Sequence, residues 1–167
     1  MAYQADIARR PLGGLFDLRG DPVAVADCLG LAGITAPTQP NSVAMAAEAT
    51  VFWIGPRRWL LRVPLARETE LAVAFAASLA NKLANASLVS DMYASFTLSG
   101  AEARDVLAQG CPLDLNLPPD TATMTELFGS AALVHFQSDA LGIAIAVERS
   151  HADFIEACLR RARGDRV

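Results

Sequence analysis

One short pattern, F-x-L-x-G, occurs twice in the sequence, at residues 16–20 and again at residues 96–100, a spacing of 80 residues. Each copy is followed by signals for the start of a helix. The dipeptide Asp21-Pro22 is typical of a helix N-cap and first turn. Ser99 and Glu102 have the S-x-x-E spacing of a capping box. The recurrence indicates a duplicated unit, which strongly limits the folds open to the chain.

Each predicted helix is followed by a loop that contains prolines and then by two apolar runs joined by a short turn. Such a pair of runs predicts a β-hairpin. The first hairpin is predicted at residues 51–55 and 59–63. The second is predicted at residues 132–136 and 142–147, with a turn through residues 138–139.

A second helix is predicted after each hairpin, because apolar residues recur there on one helical face. Residues 66–83 form the longer helix and residues 151–163 the shorter one. The first half then ends with a strand at residues 86–93 that continues into residues 94–98. The apolar positions predicted to face the core are Leu71, Phe75, Leu79 and Leu83 in the first helix and Phe154, Ile155, Cys158 and Leu159 in the second.

The order strand, helix, hairpin, helix, strand occurs almost completely in each half of the chain. It predicts an α+β fold made of two ferredoxin-like βαββαβ units. We place the first half at residues 1–91 and the second at residues 92–167, together forming one compact folded unit.

Charge and hydropathy exclude several functional classes. A net charge of −4 and a pI near 5.1 provide no electrostatic footprint for nucleic acid. The most apolar run, residues 71–86, is interrupted by Asn81 and Lys82, so we expect no membrane span. The first 14 residues have no apolar core of a secretion signal, and we expect a cytoplasmic protein. Charged residues make up 19% of the chain against about 25% in a typical domain, as expected either for surface covered by partners or for an alanine-rich chain.

The cysteines and histidines are not spaced as metal ligands. Cys28, Cys111 and Cys158 form no C-x-x-C pair, and His135 and His151 lie too far apart for an H-x-x-x-H motif. We therefore predict reduced thiols, no disulfide framework and no metal site.

Cys111 lies in a Gly-Cys-Pro corner at the end of the second unit's first helix. If Gly110 is the left-handed cap of that helix, Cys111 packs back on Val106 and Pro112 stops the helix. A nucleophilic cysteine would need a nearby base and a lowered pKa, and the neighbouring sequence contains no histidine. A structural role for Cys111 is the stronger interpretation.

Two other features are candidates for binding. Asp91, in a strand junction, could direct a carboxylate into a cleft and hold an amine or a pterin-like ring, or it could be an ordinary exposed aspartate. Trp53 and Trp59 flank the first hairpin turn, where aromatic side chains could form a partner surface or belong to the core. Signatures of dinucleotide-binding, triphosphate-binding and hydrolase sites are missing from the sequence.

The segment around Cys111 resembles the gamma subunit family of heterotetrameric sarcosine oxidase. Further similarity, in the same order along the chain, lies at residues 13–22, 55–63, 89–100 and 150–159. The positions that match the family motif are Ser99, Gly100, Arg104 and Asp105, followed by Gly110, Cys111, Pro112, Leu113, Asp114 and Leu115.

The resemblance implies the folate-binding fold of the glycine-cleavage aminomethyltransferases, which contains ferredoxin-like units. It also implies a structural subunit without catalytic residues or a cofactor of its own. The partners would be alpha, beta and delta subunits that hold FAD, FMN, NAD and tetrahydrofolate. Such a complex oxidises sarcosine, or a related N-methyl amino acid, and passes on the one-carbon unit.

Two alternatives follow from the same fold. One is a stand-alone folate-binding or one-carbon-transfer protein that uses Asp91. The other is an iron-sulfur maintenance factor that uses Cys111. Relatives of the latter kind carry K-G-C-Y-x-G-Q-E, of which residues 109–114 keep only the Gly-Cys pair, so this alternative is the weaker.

Overall fold

The computed structural model describes residues 2–137 and 142–165. The chain forms two compact units. The first, called the contiguous unit, is Leu12–Ser90. The second, called the composite unit, combines Met1–Pro11 with Asp91–Val167. The predicted division at residue 91 therefore lies one residue from the observed one, and the opening segment belongs to the composite unit.

The contiguous unit is a five-stranded antiparallel sheet with two helices on one face. The strand order is β3-β4-β5-β2-β6. The helices and one face of the sheet enclose a core that includes Phe16, Leu18 and Phe75. The elements are β2 (Gly14–Gly20), α1 (Pro22–Leu31), β3 (Val43–Ala46), β4 (Ala49–Gly55), β5 (Arg58–Val63), α2 (Glu68–Leu79) and β6 (Ala84–Leu88).

The composite unit repeats this architecture in the order β8-β9-β10-β7-β1. Its edge strand β1 comes from the opening segment and pairs antiparallel with β7, with Ile7 opposite Leu98. Phe96 and Leu98 lie in its core, as Phe16 and Leu18 do in the other unit. The elements are β1 (Asp6–Arg9), β7 (Tyr93–Ser99), α3 (Ala103–Ala108), β8 (Thr121–Leu127), β9 (Ser130–Phe136), β10 (Ile143–Glu148) and α4 (Ala152–Arg163).

The predicted α+β class with duplicated ferredoxin-like units is confirmed, but the contiguous unit has one strand more than predicted and the composite unit has two more. Strands β3 and β8 occupy segments that the sequence analysis assigned to loops. Strand β1 was also not predicted, although it completes the composite unit. The predicted turn at residues 138–139 lies outside the described residues.

The second helix of the contiguous unit is shorter than predicted. Helix α2 ends at Leu79, because Ala80 has an extended backbone and Asn81 is left-handed with φ of 63°. Leu83 therefore leaves the predicted apolar face and is 88% exposed. In α4, Ile155 and Leu159 are buried as predicted, but Phe154 is 52% exposed. Across the described part of the chain, each helix is too short or too polar to cross a membrane.

Candidate functional site

The motif that carries the family resemblance begins where β7 ends. Gly100 has φ of 106°, a conformation that disfavours any residue with a side chain. A Cβ atom there would also lie 2.6 Å from the carbonyl oxygen of Gln4. Gly100 is therefore required by the close passage of the segment that leads into β1.

Glu102 also binds the segment before β1. Its carboxylate accepts a hydrogen bond from the backbone N–H of Gln4, and its own N–H donates to the Gln4 carbonyl at 3.1 Å. The predicted capping box with Ser99 is wrong, because no side chain caps helix α3. The Glu102 carboxylate accepts from Gln4 instead of from the backbone of Ser99. In the contiguous unit, helix α1 has its predicted cap, since the Asp21 carboxylate accepts from the Ala24 N–H at 3.0 Å.

Arg104 connects α3 to the loop after the Gly-Cys-Pro corner. Its guanidinium donates to the carbonyl of Leu115 and lies 5.6 Å from the centre of the Phe136 ring. Both contacts hold residues of the composite unit together. The Arg104 side chain therefore stabilises the composite unit by a hydrogen bond to the loop and a cation–π contact with Phe136.

Gly110 is constrained by packing against an aromatic ring. Its backbone is not left-handed, so the predicted left-handed cap is wrong. A Cβ atom at this position would lie 2.5 Å from Cζ of Phe128, and the Phe128 N–H donates to the Gly110 carbonyl at 2.8 Å. The absence of a side chain at Gly110 lets the Phe128 ring cover the end of α3.

Cys111 points into the core of the composite unit. It is 7% exposed and belongs to the same apolar cluster as Val106, and its N–H donates to Leu107 at 3.0 Å. Pro112 is exposed directly after it. Asp114 accepts hydrogen bonds from the backbone and side chain of Asn116, both at 3.0 Å, which closes the turn that follows. Among the described residues, no cluster of three or more metal-ligating side chains occurs.

The structure separates the remaining predicted candidates. Asp91 is exposed in the short helical turn Ser90–Met92, and its backbone carbonyl accepts from Arg149 Nε at 2.7 Å. Trp59 is 5% exposed and its indole N–H donates to the Pro37 carbonyl at 3.0 Å, so of the two alternatives given for it the structure places it in the core. Trp53 is half-buried against the core of the contiguous unit.

One charged cluster was not singled out from the sequence. Asp17 in β2 is 6% exposed and binds two guanidinium groups, with Nη2 of Arg19 at 2.6 Å and Nη2 of Arg58 at 2.8 Å. Burial of Asp17 raises the pKa of its carboxyl, but the hydrogen bonds from Arg19 and Arg58 outweigh it and the pKa is lowered. The signal in the sequence was the alternation F-D-L-R, which places Asp17 and Arg19 on the face opposite Phe16 and Leu18.

A second feature that was not predicted from the sequence is a concave surface on the contiguous unit, which encloses a volume of about 350 Å³. Two of its apolar side chains are strongly exposed, Val23 at 70% and Leu83 at 88%. This concavity was not predicted, because the four-residue spacing of apolar residues placed Leu83 in the core. The lining residues include Asp21, Val23, Asp27, Arg57, Lys82 and Leu83.

Comparison with known proteins agrees with this architecture. The sequence profile described as "Sarcosine oxidase, gamma subunit family" matches residues 19–165. A search among curated protein sequences finds no match.

Two solved structures share the fold over nearly the whole chain. A chain of heterotetrameric sarcosine oxidase from Corynebacterium sp. U-96 has a TM-score of 0.82 and 19% identity, with coverage of 98% of this chain and 87% of that one. Glycine cleavage system aminomethyltransferase T from Bartonella henselae has a TM-score of 0.74 and 13% identity, with coverage of 98% of this chain and 46% of that one. At these identities the similarity shows the folate-binding fold.

Proposed function

Because the chain belongs to the sarcosine oxidase gamma subunit family, we propose that it is a structural subunit of a heterotetrameric flavoenzyme. The complex oxidatively demethylates sarcosine or a related N-methyl amino acid. Alpha, beta and delta subunits hold FAD, FMN, NAD and tetrahydrofolate and carry out the chemistry. This chain contributes a folded body and contact surface.

The proposal is supported chiefly by the contacts of the family-motif residues, which lie within this chain. Five of the motif's positions have a structural role within the composite unit. Gly100 makes room for the segment before β1, Arg104 holds the Leu115 carbonyl, and Gly110 receives the Phe128 ring. Cys111 is packed in the core and Asp114 closes a turn. A motif used in this way supports a role in architecture.

The same contacts argue against catalysis by Cys111. A nucleophilic thiolate needs access to substrate and a base that takes up its proton. The Cys111 side chain is instead surrounded by the aliphatic residues Val106 and Leu107. It therefore fits a buried packing residue better than a reactive thiol.

The proposal is tested by isolating the complex. The chain is tagged and expressed in its native cells, and it is purified under mild salt. Its partners are identified by mass spectrometry and its visible spectrum is recorded. We expect stoichiometric larger subunits, a flavin spectrum, and loss of flavin absorbance when sarcosine is added without oxygen. The separately purified chain should be colourless and should not oxidise sarcosine.

Two results would contradict this function. A purified chain that oxidises sarcosine by itself would show that it holds a catalytic site. A colourless chain that captures no partner would turn attention to a stand-alone protein of the same fold. Calorimetry with tetrahydrofolate then discriminates, since saturable binding that is lost in Asp91→Ala would support a folate-binding protein.

A further inference from the structure

We infer that the concave surface around Val23, Leu83 and Arg57, called the Val23–Leu83 surface, docks a segment of a larger partner subunit. The occupant carries an apolar side chain next to a carboxylate. The inference rests on the proposed function and extends it, because it assigns a place on this chain and a chemistry to the partner.

Exposure of the two apolar side chains is the first observation. Val23 and Leu83 are 70% and 88% exposed and line the same concavity. Scattered exposed apolar residues are normal on a protein surface, but two that line one concavity provide a place for an apolar side chain. Removing both from water would stabilise a complex, since apolar burial is the main driving force of association.

The backbone that presents Leu83 is fixed. The Leu83 carbonyl accepts from Asp21 N–H at 2.8 Å, and the Lys82 N–H donates to Leu79 at 2.9 Å. The Lys82 ammonium also forms an ion pair with Asp27 at 2.9 Å. A fixed backbone reduces the conformational entropy lost on binding, so Leu83 is suited to anchor a partner.

Charge defines the second part of the occupant. The Asp21 carboxylate accepts a hydrogen bond from the Ala24 N–H, and the Asp27 carboxylate forms an ion pair with Lys82. Arg57 donates from Nε to the Gly20 carbonyl at 3.1 Å and forms no ion pair with any acid in the described parts of the chain. Its remaining guanidinium N–H groups therefore suit a carboxylate from outside, which they can bind in a bidentate manner.

Together these features specify one occupant. An apolar side chain enters the concavity and contacts Val23 and Leu83, and a neighbouring Asp or Glu binds Arg57. Interface anchors of this kind, an apolar group in a pocket with a charge at its side, concentrate binding energy in a few residues.

Site-specific photo-crosslinking in the intact complex tests the docking site. Leu83 is replaced with p-benzoylphenylalanine in the tagged chain, and Val73 is replaced in the same way as a matched control. Val73 is 69% exposed on the contiguous unit, but it does not line the Val23–Leu83 surface. After irradiation of the flavin-containing complex, the crosslinked peptides are identified by mass spectrometry. We expect a crosslink from position 83 to a larger subunit, within a few residues of an Asp or Glu, and none from position 73.

Affinity measurements provide a second readout. Leu83→Ser should reduce the amount of larger subunits retained by the tagged chain about tenfold, and Val73→Ser should not change it. Arg57→Asn, which keeps a residue suited to the left-handed conformation at φ of 56°, should reduce retention about fivefold. Thermal unfolding of each isolated variant checks that folding is unchanged.

The outcomes separate this inference from the proposed function. If the unmodified chain captures no flavin-containing subunits, both fail. If it captures them, but position 83 gives no crosslink or Leu83→Ser is retained like the control, only the docking site is wrong. A crosslink from position 83 to a second copy of this chain would also overturn the inference.

Discussion

The two units have the same five strands in the same spatial order, but they obtain one edge strand from different parts of the sequence. The contiguous unit uses β6, which directly follows its second helix, and β6 pairs with β2. The composite unit uses β1, which precedes the rest of that unit by more than 80 residues and pairs with β7. In both units the edge strand pairs with the F-x-L-x-G strand, whichever part of the sequence the edge strand comes from.

Removal of β1 should destabilise the composite unit more than any other change considered below, because it takes away an edge strand of that unit alone. Deletion of residues 2–9 removes the partner of β7 and the Gln4 backbone that binds Glu102. We expect the composite unit to lose about 4 kcal/mol of unfolding free energy, more than most single substitutions cost. Hydrogen exchange should show loss of protection in β7 and β10 while β2 and β5 stay protected. Equal loss in both units, or loss in neither, would contradict the independent roles of the two edge strands.

The two glycines that end the F-x-L-x-G patterns, Gly20 and Gly100, provide a test of close backbone passage in both units. Gly20 and Gly100 have φ of 121° and 106°, and a Cβ atom would lie 2.6 Å from Ala84 Cα or from the Gln4 carbonyl oxygen, respectively. At Gly20 the Leu83 carbonyl oxygen is closer still. We expect Gly20→Ala to cost about 3 kcal/mol and Gly100→Ala about 2 kcal/mol, measured by urea unfolding.

Gly30 provides the matched control for both substitutions. It lies inside α1, and a Cβ atom added there would meet no atom within 4 Å beyond the backbone of its own helix. Gly30→Ala should therefore stabilise the chain by about 0.5 to 1 kcal/mol, because alanine is the better helix former. If all three substitutions had the same sign, the explanation by close backbone passage would be wrong.

Low pH should lower the unfolding free energy of the contiguous unit through Asp17, by less than the glycine substitutions do. Asp17 has Thr97 at the corresponding position of the other F-x-L-x-G strand, so this carboxylate belongs to the contiguous unit alone. Its folded-state pKa is lowered from 3.8, so its stabilisation is present above that pH and is lost as the pH falls through the folded-state pKa. We expect Asp17→Asn to cost about 1 to 2 kcal/mol at neutral pH.

The acid effect is checked by urea unfolding of both proteins across the pH range. The difference between wild type and Asp17→Asn should shrink once the pH falls below about 3.8. Asp114→Asn, in an exposed turn of the composite unit, serves as the control carboxylate. A difference that stays constant to the lowest accessible pH would show that the charge of Asp17 contributes no stability.

The smallest effect is expected at Cys111. Cys111→Ser places a hydroxyl in an apolar cluster and should cost about 1 kcal/mol of unfolding free energy. In the proposed complex, the rate of sarcosine oxidation and the subunit ratio should be unchanged. Loss of activity with an unchanged melting temperature would instead make this thiol functional.

Much of the fold could be predicted because its signals are local. Phe16, Leu18, Phe96 and Leu98 are at most 1% exposed, as the repeated pattern indicates. The strands that were not predicted either have a weak apolar pattern or depend on a partner strand far along the sequence. Strand β8, Thr121–Leu127, is half polar, and β1 has one large apolar residue, Ile7, whose partner Leu98 lies far along the sequence.

The candidate sites were less predictable, since they depend on contacts between distant residues. Gly110 is constrained by the ring of Phe128, which no local helix-cap rule could reveal. Leu83 fits the four-residue spacing of the preceding helix, yet the left-handed conformation of Asn81 removes it from that helix. Periodicity places a residue correctly only while the helix continues.

The origin of β1 also has a consequence for protein synthesis. On the ribosome, Ile7 is made 91 residues before Leu98, with which it pairs. At a rate of about 5 to 20 residues per second, β1 waits roughly 5 to 20 seconds for β7. The contiguous unit can complete its sheet during that interval, because all of its strands lie between residues 14 and 88. The nascent chain therefore carries an unpaired strand ahead of a finished sheet, and this interval is when chaperones can protect it.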